Sequence, residues 1–490
     1  MRLWFCILLQ FLFVQSLLSQ NELASVKDFL DKKFGYVDEV IPIKNKNTGE
    51  LAVFFTEGKT THAFLFDNSF KKIDSLSGED KRRKYKQVIG GGTGADRNYI
   101  IYFSNPSRTK FASIDFSFKT KEARFHEFDF ELDNERLLQT VHIDDSFYIL
   151  TIEKKSSVLH TYKFKEHNAP INSMIDLSAE SFLDDEDEET TLYDLLTTSS
   201  GIYNLGKSVN IVKINIENPT TLEIAAQPTK FYETENGFLI SFDQNKQFTQ
   251  LVELDLINST YNMNRLQKPL AIVSPDKKRT NSFVHDKTVY TIAVVENLIY
   301  LQCLNLETGE LINEHSVDPQ GQITLKNTPV VQTGGDFSST RELKKVSKVF
   351  RKINLGEVGI SVFKAHDIFE VAYGGIHETK SNPAMFFPGF AIPIAASGGL
   401  ALSLFINPAF FAFESYSNTK AVKIEAIFDA TFEHLNGDIP LNAFDKIKNF
   451  AAKEKVLRNG RTVFRFNGNY IFGYYDSWTK TFSFREFKNN

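Results

Sequence analysis

The chain has 490 residues, 56 Lys and Arg against 61 Asp and Glu, and a formal net charge of −5. This mild acidity gives no global basic face of the kind nucleic-acid binders present. With 42% hydrophobic residues, among them 46 Phe, the length is enough to bury one or two cores.

The N-terminus reads as a secretory signal: Arg2 supplies the charged start, an uncharged apolar run continues through Leu18, and Ser19 offers a small residue at the cut. Residues 1–19 are expected to leave, so the mature chain begins at Gln20 with a charge of 55 − 61 = −6. The run is short for a membrane span, which disfavours an uncleaved anchor. Cys6 departs with the signal and Cys303 remains alone, so no intramolecular disulfide is expected. The product is expected in the periplasm, on the cell surface or outside the cell.

Residues 20–35 carry Leu23, Val26, Phe29, Leu30 and Phe34 at three- and four-residue steps, closed by Gly35, which predicts an N-terminal helix. From 36 to 380 the pattern changes to short runs rich in Phe, Tyr, Ile, Val and Thr, broken by Asp, Asn and Gly, which predicts strands and tight turns. A motif recurs through them, an apolar strand end followed by Asp or Asn. Its apolar anchors are Phe66, Ile114, Phe164, Ile214, Leu254, Leu304, Ile353 and Tyr475. Most steps lie between 40 and 50 residues, the size of four short antiparallel strands. A fixed period of this length marks a solenoid or propeller. The predicted fold is therefore all-β, a β-propeller of seven or eight four-stranded blades. Its anchors Phe66, Ile114, Ile214, Leu254 and Leu304 should be buried and equivalent. The Asp or Asn serves turn chemistry and argues for fold rather than activity.

Asn305-Leu306-Glu307-Thr308-Gly309-Glu310-Leu311 resembles the turn of quinoprotein-like propeller repeats, and Asn47-Thr48-Gly49-Glu50-Leu51 echoes it. The tryptophans that staple blades in cofactor-binding members are missing, since Trp4 lies in the signal and Trp478 stands alone. The resemblance implies the fold and no cofactor.

Three segments break the repeat. The acidic run Asp184–Glu189 before Leu192, Tyr193, Leu195 and Leu196 predicts a helix with acids in its first turns. Arg341 to Lys352 is basic, with Leu343, Val346, Val349 and Phe350 along one side of a helix. The third, 381–455, is expected to be an insertion, followed by last propeller strands in 456–490. Its first part, 381–413, is 33 residues without a charge. Met385, Phe386, Phe387, Phe390, Ile392 and Ile394 give it one apolar half. Leu400, Leu402, Leu404, Phe405, Phe410 and Phe411 give the other. Pro388, Pro393, Gly398, Gly399 and Pro408 interrupt any simple spanning helix. An alternating strand, 422–428, and a helix, Leu441 to Leu457, complete the insertion.

Candidate chemistry is sparse. Gly90–Gly94 invites a phosphate loop but leads into the strand Tyr99–Phe103 and lacks Gly-Lys-Ser/Thr, so an inter-strand loop is expected. No histidines pair at zinc-site spacing, and the acidic run lacks the alternating acids and glycine of a calcium loop. His142 and Asp144 fall on one strand face, where a carboxylate orients an imidazole, though a turn ending in Asp-Asp is the commoner reading. His126, alternating with Phe128 and Phe130, reads as packing. Lys81–Lys86 and Arg341–Lys352 are basic enough to attract anions but read more simply as solvated edges. No catalytic residue is identified, and no metal, cofactor or nucleic acid is expected.

The functional expectation is an exported binding scaffold whose apolar residues 381–413 contact a partner protein or a membrane. The bland alternative is that the stretch packs down on its own propeller and caps one face, with the helix Leu441 to Leu457 as its floor, and two functional readings also compete. One is a propeller hydrolase or lyase acting on polysaccharide or peptide from a central channel mouth. The other is a membrane-tethered protein spanning with 389–413.

Overall fold

The computed structural model describes residues 22–30, 37, 39–57, 60–79, 84–85, 87–144, 146–165, 169–197, 212–296, 298–318, 322–333, 340–376, 407–416, 421–457 and 460–489. Among them, strands dominate: five sheets of four strands, one of five, one of six and a two-stranded hairpin. The first sheet holds Glu39–Lys44, Leu51–Glu57, Thr60–Phe66 and Lys72–Glu79; the second holds Gln87–Thr93, Asn98–Ser104, Lys110–Ser117 and Glu122–Glu131. The third runs from Glu135–Ile143 through Ser146–Glu153 and Val158–Phe164 to Ile171–Asp176. Thr229–Glu233, Gly237–Phe242, Phe248–Asp255 and Thr260–Gln267 make the antiparallel part of the fourth, and Val212–Ile214 adds a parallel strand beside the first of these. The fifth spans Arg279–His285 to Leu311–Val317 in four strands.

The sixth sheet takes Glu357–Ala365, Ile368–Ile376 and Ala421–Phe428, with Val331–Gln332 and Arg341–Glu342 extending its edge and His434–Leu435 pairing with Ala421–Phe428. Arg461–Phe466, Asn469–Asp476 and Thr481–Phe487 form the seventh, and Glu22–Lys27 completes it as a fourth strand. This all-β arrangement of antiparallel four-stranded sheets is consistent with a β-propeller.

The core is divided among the gaps between successive sheets. Phe54, Tyr99 and Phe116 pack between the first and second, Phe147, Phe164 and Tyr102 between the second and third, and Leu138, Ile240 and Val252 between the third and fourth. A larger cluster joins the fourth, fifth and sixth. Phe55, Phe66, Phe70, Phe464 and Phe484 join the seventh to the first. The other side of the seventh sheet packs on helices, with Phe413 and Phe444 against Tyr470 and Phe472. Inner strands such as Leu51–Glu57 and Asn98–Ser104 are buried and read as continuous apolar runs, whereas fourth strands such as Ile171–Asp176 stay largely exposed.

The turn chemistry recurs at three of the third-strand motif sites. Asp67 follows a third strand, Asp255 and Asn305 end theirs, and all three accept backbone N–H bonds from the turns ahead at 2.8 to 3.0 Å, whereas Asp115 lies inside its strand. The two Thr-Gly turns also match: Gly49 N donates to Asn45 O and Gly309 N to Asn305 O, both at 2.9 Å. Both glycines hold φ near +70°, a conformation that glycine adopts without strain.

All five named anchors are buried, but only three end a third strand beside the turn. Phe66, Leu254 and Leu304 do so, as does Phe164, whereas Ile114 lies within the third strand Lys110–Ser117, three residues before its end. Ile214 lies on the added parallel strand, Ile353 in the helix Val346–Ile353 and Tyr475 on a second strand. The 50-residue step to Ile214 is therefore coincidental. The third-strand series passes from Phe164 to Leu254, with residues 177–227 interposed.

Four further expectations are corrected. Residues 22–27 are a strand and not helical, because the open edge of Thr481–Phe487 offers a hydrogen-bond ladder that local periodicity cannot register. The acidic run opens no helix: Asp184 Oδ1 accepts from the Glu186 and Glu188 amides in a turn between Phe182–Leu183 and Glu189–Thr190, and the helix starts only at Leu192. The span assigned wholly to an insertion contributes Ala421–Phe428, a strand paired along its length with Ile368–Ile376. The helix after it runs from Ala443 to Lys453, capped by Asn442. Finally, Gly90–Gly92 belong to the strand Gln87–Thr93 and form no loop.

A Cβ on Gly90 would lie 2.1 Å from the Phe147 ring, and one on Gly92 would lie 2.4 Å from the His142 imidazole. These glycines let the second and third sheets approach. Replacing Gly90 by Ala should force Phe147 aside and cost about 1–3 kcal/mol, read as a lowered denaturant midpoint at unchanged m-value.

Candidate functional site

After Ile214 the chain turns on Asn215, whose Oδ1 accepts the Glu217 amide at 2.9 Å. It then enters a short helix, Leu222–Ala225, capped by the Thr221 hydroxyl. This segment, 212–227, touches the leading strands of four sheets. Lys213 Nζ lies 2.6 Å from Glu233 and donates to Thr140 O at 3.2 Å. The Glu217 carboxylate pairs with Arg465, and its carbonyl accepts from Tyr470 Oη at 2.7 Å. Ser361 Oγ donates to Thr220 O at 2.6 Å. Gly359 gives Ala226 room, since a Cβ there would lie 2.9 Å from the alanine methyl.

Beside this segment lies a charge network buried between the fourth and fifth sheets. Lys230, Asp243 and Lys268 have side chains at 0% exposure. Lys230 Nζ donates to Gln227 O, Asp243 Oδ2 and Asn281 Oδ1 at 2.7 to 2.8 Å. Lys268 Nζ donates to Asp243 O and Asn245 O and pairs with Asp243 Oδ1 at 3.0 Å. The carboxylate also accepts from Thr249 Oγ1 and Ser282 Oγ, both at 2.8 Å.

Burial works against the Asp243 charge, but the two ammonium groups overcome it and hold the carboxyl well below its usual range. Desolvation lowers both lysines, Lys268 to about 8, with Asp243 opposing the shift. Each ammonium has three acceptors in place and no route to solvent. The network therefore locks two sheets together and leaves neither lysine free as a nucleophile.

A second perturbed group lies on the sixth sheet. Burial raises Glu370 to about 7, and Asp445 and Glu425 add to the rise, while a bond from Asn442 and the Lys423 charge oppose it.

The residues singled out from sequence are dispersed. His142 packs over Gly92, and Asp144 sits in the following turn at φ +52°, so the alternation ends before it. His126 stands edge-on to Phe128 at 4.8 Å. Lys84 is exposed beside Glu127, while Lys81–Arg83 and Lys86 lie outside the described residues. Val349, Phe350 and Ile353 turn the basic helix onto the core, and Arg351 stays exposed. Cys303 is buried and unbridged. No group of His, Cys, Asp and Glu among the described residues could hold a metal ion.

Of the apolar interaction residues, Met385 through Phe405 lie outside the described residues. Phe410 and Phe411 fall in the helix Pro408–Tyr416, where Phe411 is buried in the large core cluster and Phe410 is half-buried against the seventh sheet. No helix among the described residues is long and apolar enough to cross a membrane.

The Lys230–Asp243–Lys268 network was missed from sequence. Its members stand 13 and 25 residues apart, and no local pattern links them.

No family model matches the chain, and no curated protein matches it. Among solved structures it is similar to a prolyl endopeptidase studied for inter-domain dynamics, with 8% identity over 93% of this chain and 50% of that one and a TM-score of 0.30. It is also similar to prolyl oligopeptidase B from Galerina marginata, with 8% identity, 57% and 32% coverage and a TM-score of 0.28. An acylaminoacyl peptidase solved with Z-Gly-Gly-Phe-chloromethyl ketone gives 10%, 70% and 51%, and a TM-score of 0.27. The chain spans about a third to a half of the length of these proteins, and overlaps this loose say nothing about its activity.

Two measurements check the electrostatics. Asp243→Asn leaves two buried ammonium groups without a counter-charge and should cost about 3–5 kcal/mol near neutral pH. Because the folded-state carboxyl is depressed, wild type should lose this advantage only as pH falls below about 4, the unfolded-state range. Glu370 has the opposite sign. Its raised value favours the folded state fully below the ordinary glutamate range, and this is lost as pH rises through about 7. Glu370→Gln should therefore raise the thermal midpoint relative to wild type at pH 8, and the gap should shrink at pH 5.

Proposed function

We propose that the chain is an exported propeller of seven blades that serves as a binding scaffold, with residues 381–413 contacting a partner protein or a membrane surface. Three observations support the ring. Core clusters fill the gaps between successive sheets from the first to the sixth and join the seventh to the first, and helices Pro408–Tyr416 and Ala443–Lys453 pack on the seventh. The strand Glu22–Lys27 completes the seventh sheet and so ties the two described ends together. Segment 212–227 reaches the leading strands of the third, fourth, sixth and seventh sheets, as a chain lying near a common axis would.

The functional reading rests on one observation. The charge-free stretch departs from and returns to buried anchors: Ile376 pairs with Ala421, and Asn407 is buried with its amide on Thr462 Oγ1 at 3.0 Å. It therefore interrupts the connection between the second and third strands of the sixth sheet. The same connection in the seventh sheet carries Trp478, which is 95% exposed. An uncharged apolar stretch of this length, if presented on a surface, would mark an interaction site.

The test is a deletion that spares the buried helix: residues 383–403 replaced by a short Gly-Ser linker, with Asn407–Tyr416 intact. The variant should keep the wild-type thermal transition and lose co-sedimentation with lipid vesicles or with a protein that co-purifies with the full chain. If it unfolds, or if wild type shows neither association, the segment is core and the reading is wrong. Export is tested separately, since the native protein should begin near Gln20.

A further inference from the structure

On the first sheet, Thr60–Phe66 and Lys72–Glu79 run antiparallel with His62 directly opposite Ser77. Nδ1 of His62 lies 2.9 Å from Oγ of Ser77. Glu57, the last residue of the neighbouring strand Leu51–Glu57, places Oε2 3.8 Å from Nε2 on the other side of the ring. The imidazole therefore stands between a hydroxyl and a carboxylate. Burial is graded along the row: Glu57 is 1% exposed, His62 is 15% exposed, and Ser77 faces solvent. Phe29 stands edge-on to both His62 and Phe64, at 5.8 and 5.4 Å, and gives the spot an apolar wall.

A nucleophilic serine needs a neutral base within hydrogen-bond reach and a third group that fixes the base's tautomer. Burial lowers the His62 value below its ordinary one, with Glu57 opposing, which favours the neutral ring. A carboxylate beside Nε2 favours the proton on that nitrogen, which turns the Nδ1 lone pair toward the Ser77 hydroxyl.

We propose that Ser77 and His62, with Glu57 as a positioning residue, form a nucleophilic centre that transfers the acyl group of a small apolar carboxylic ester to water. Ser77 Oγ bonds to the ester carbonyl carbon as its proton passes to His62 Nδ1 and the carbonyl π pair moves onto oxygen. Collapse of that adduct breaks the bond to the alcohol, which leaves with the imidazolium proton. Water then attacks the acyl-serine by the same route, releasing the acid and restoring the Ser77 hydroxyl. This centre is independent of the scaffold reading, because it uses no residue of 381–413.

The test uses the purified full chain and an alkyl fluorophosphonate, which phosphonylates an activated serine with loss of fluoride. Intact mass and peptide mapping should show one adduct, at Ser77, and Ser77→Ala, which removes only an exposed hydroxyl, should abolish it. His62→Gln should slow labelling about 10²-fold. Glu57→Gln should keep the adduct but move the pH profile of labelling to lower pH, because the carboxylate that raises His62 is gone. Tyr475, which the Glu57 charge also raises, is unchanged in that variant. p-Nitrophenyl butyrate hydrolysis should fall in parallel in the Ser77 and His62 variants. Wild type of normal thermal midpoint with no adduct at Ser77, an adduct elsewhere, or equal labelling in His62→Gln would overturn the proposal.

Discussion

The structure depends on one constraint: a four-stranded sheet with two apolar faces must be covered on both. The first six sheets meet this by packing against one another through Phe, Tyr, Ile and Val, and the seventh packs on the first and on helices Pro408–Tyr416 and Ala443–Lys453. The demand recurs at the last sheet, whose exposed side meets the first through Phe464, Phe484, Phe66 and Phe70. The open edge of Thr481–Phe487 is a second liability, since unpaired backbone groups invite foreign strands. Glu22–Lys27 covers it. Removing either the aromatic seam or that strand would expose surface that nothing else in the described chain could cover.

Polar groups carry the contacts that apolar packing leaves unspecific. Lys230, Asp243 and Lys268 fix the fourth sheet against the fifth through Asn281 and Ser282, each at a set distance. Such a network adds little net energy over an apolar equivalent, but its geometry admits one arrangement. Segment 212–227 acts similarly over a longer reach, because its carbonyls and side chains meet partners on the third, sixth and seventh sheets. These bonds involve single carbonyls and hydroxyls, so a small shift of one sheet would break several together.

The apolar stretch and the Ser77 row raise separate questions of use. The first is defined by composition, anchored at Ile376 and Asn407 and tied to the core by helix Pro408–Tyr416, whose Glu414 pairs with Arg461 in a buried contact. That anchoring sets Ala409, Phe411, Ala412 and Phe413 of the 381–413 span in the core. The second is defined by register alone, since a one-residue slip between Thr60–Phe66 and Lys72–Glu79 would turn Ser77 to the opposite face from His62.

The sequence by itself determined the strand-rich class, the turns and the unit size. Alternating apolar runs and Asx or Thr-Gly turns act within a few residues, so Phe66, Leu254 and Leu304 could be placed beside their turns from pattern alone. Tertiary structure decided the rest. Glu22–Lys27 reads as helical because Leu23 and Val26 fit that period, and only an open edge more than 450 residues away makes it a strand. Ile214 fits the repeat by spacing, yet it lies on a parallel strand because segment 212–227 finds carbonyl and hydroxyl partners on distant sheets. The glycines at 90–92 look like a loop until Phe147 and His142 are set against them. The buried lysines and the Ser77 row are invisible to local pattern, because chemistry assembled across sheets depends on which strands become neighbours, and that is fixed by packing.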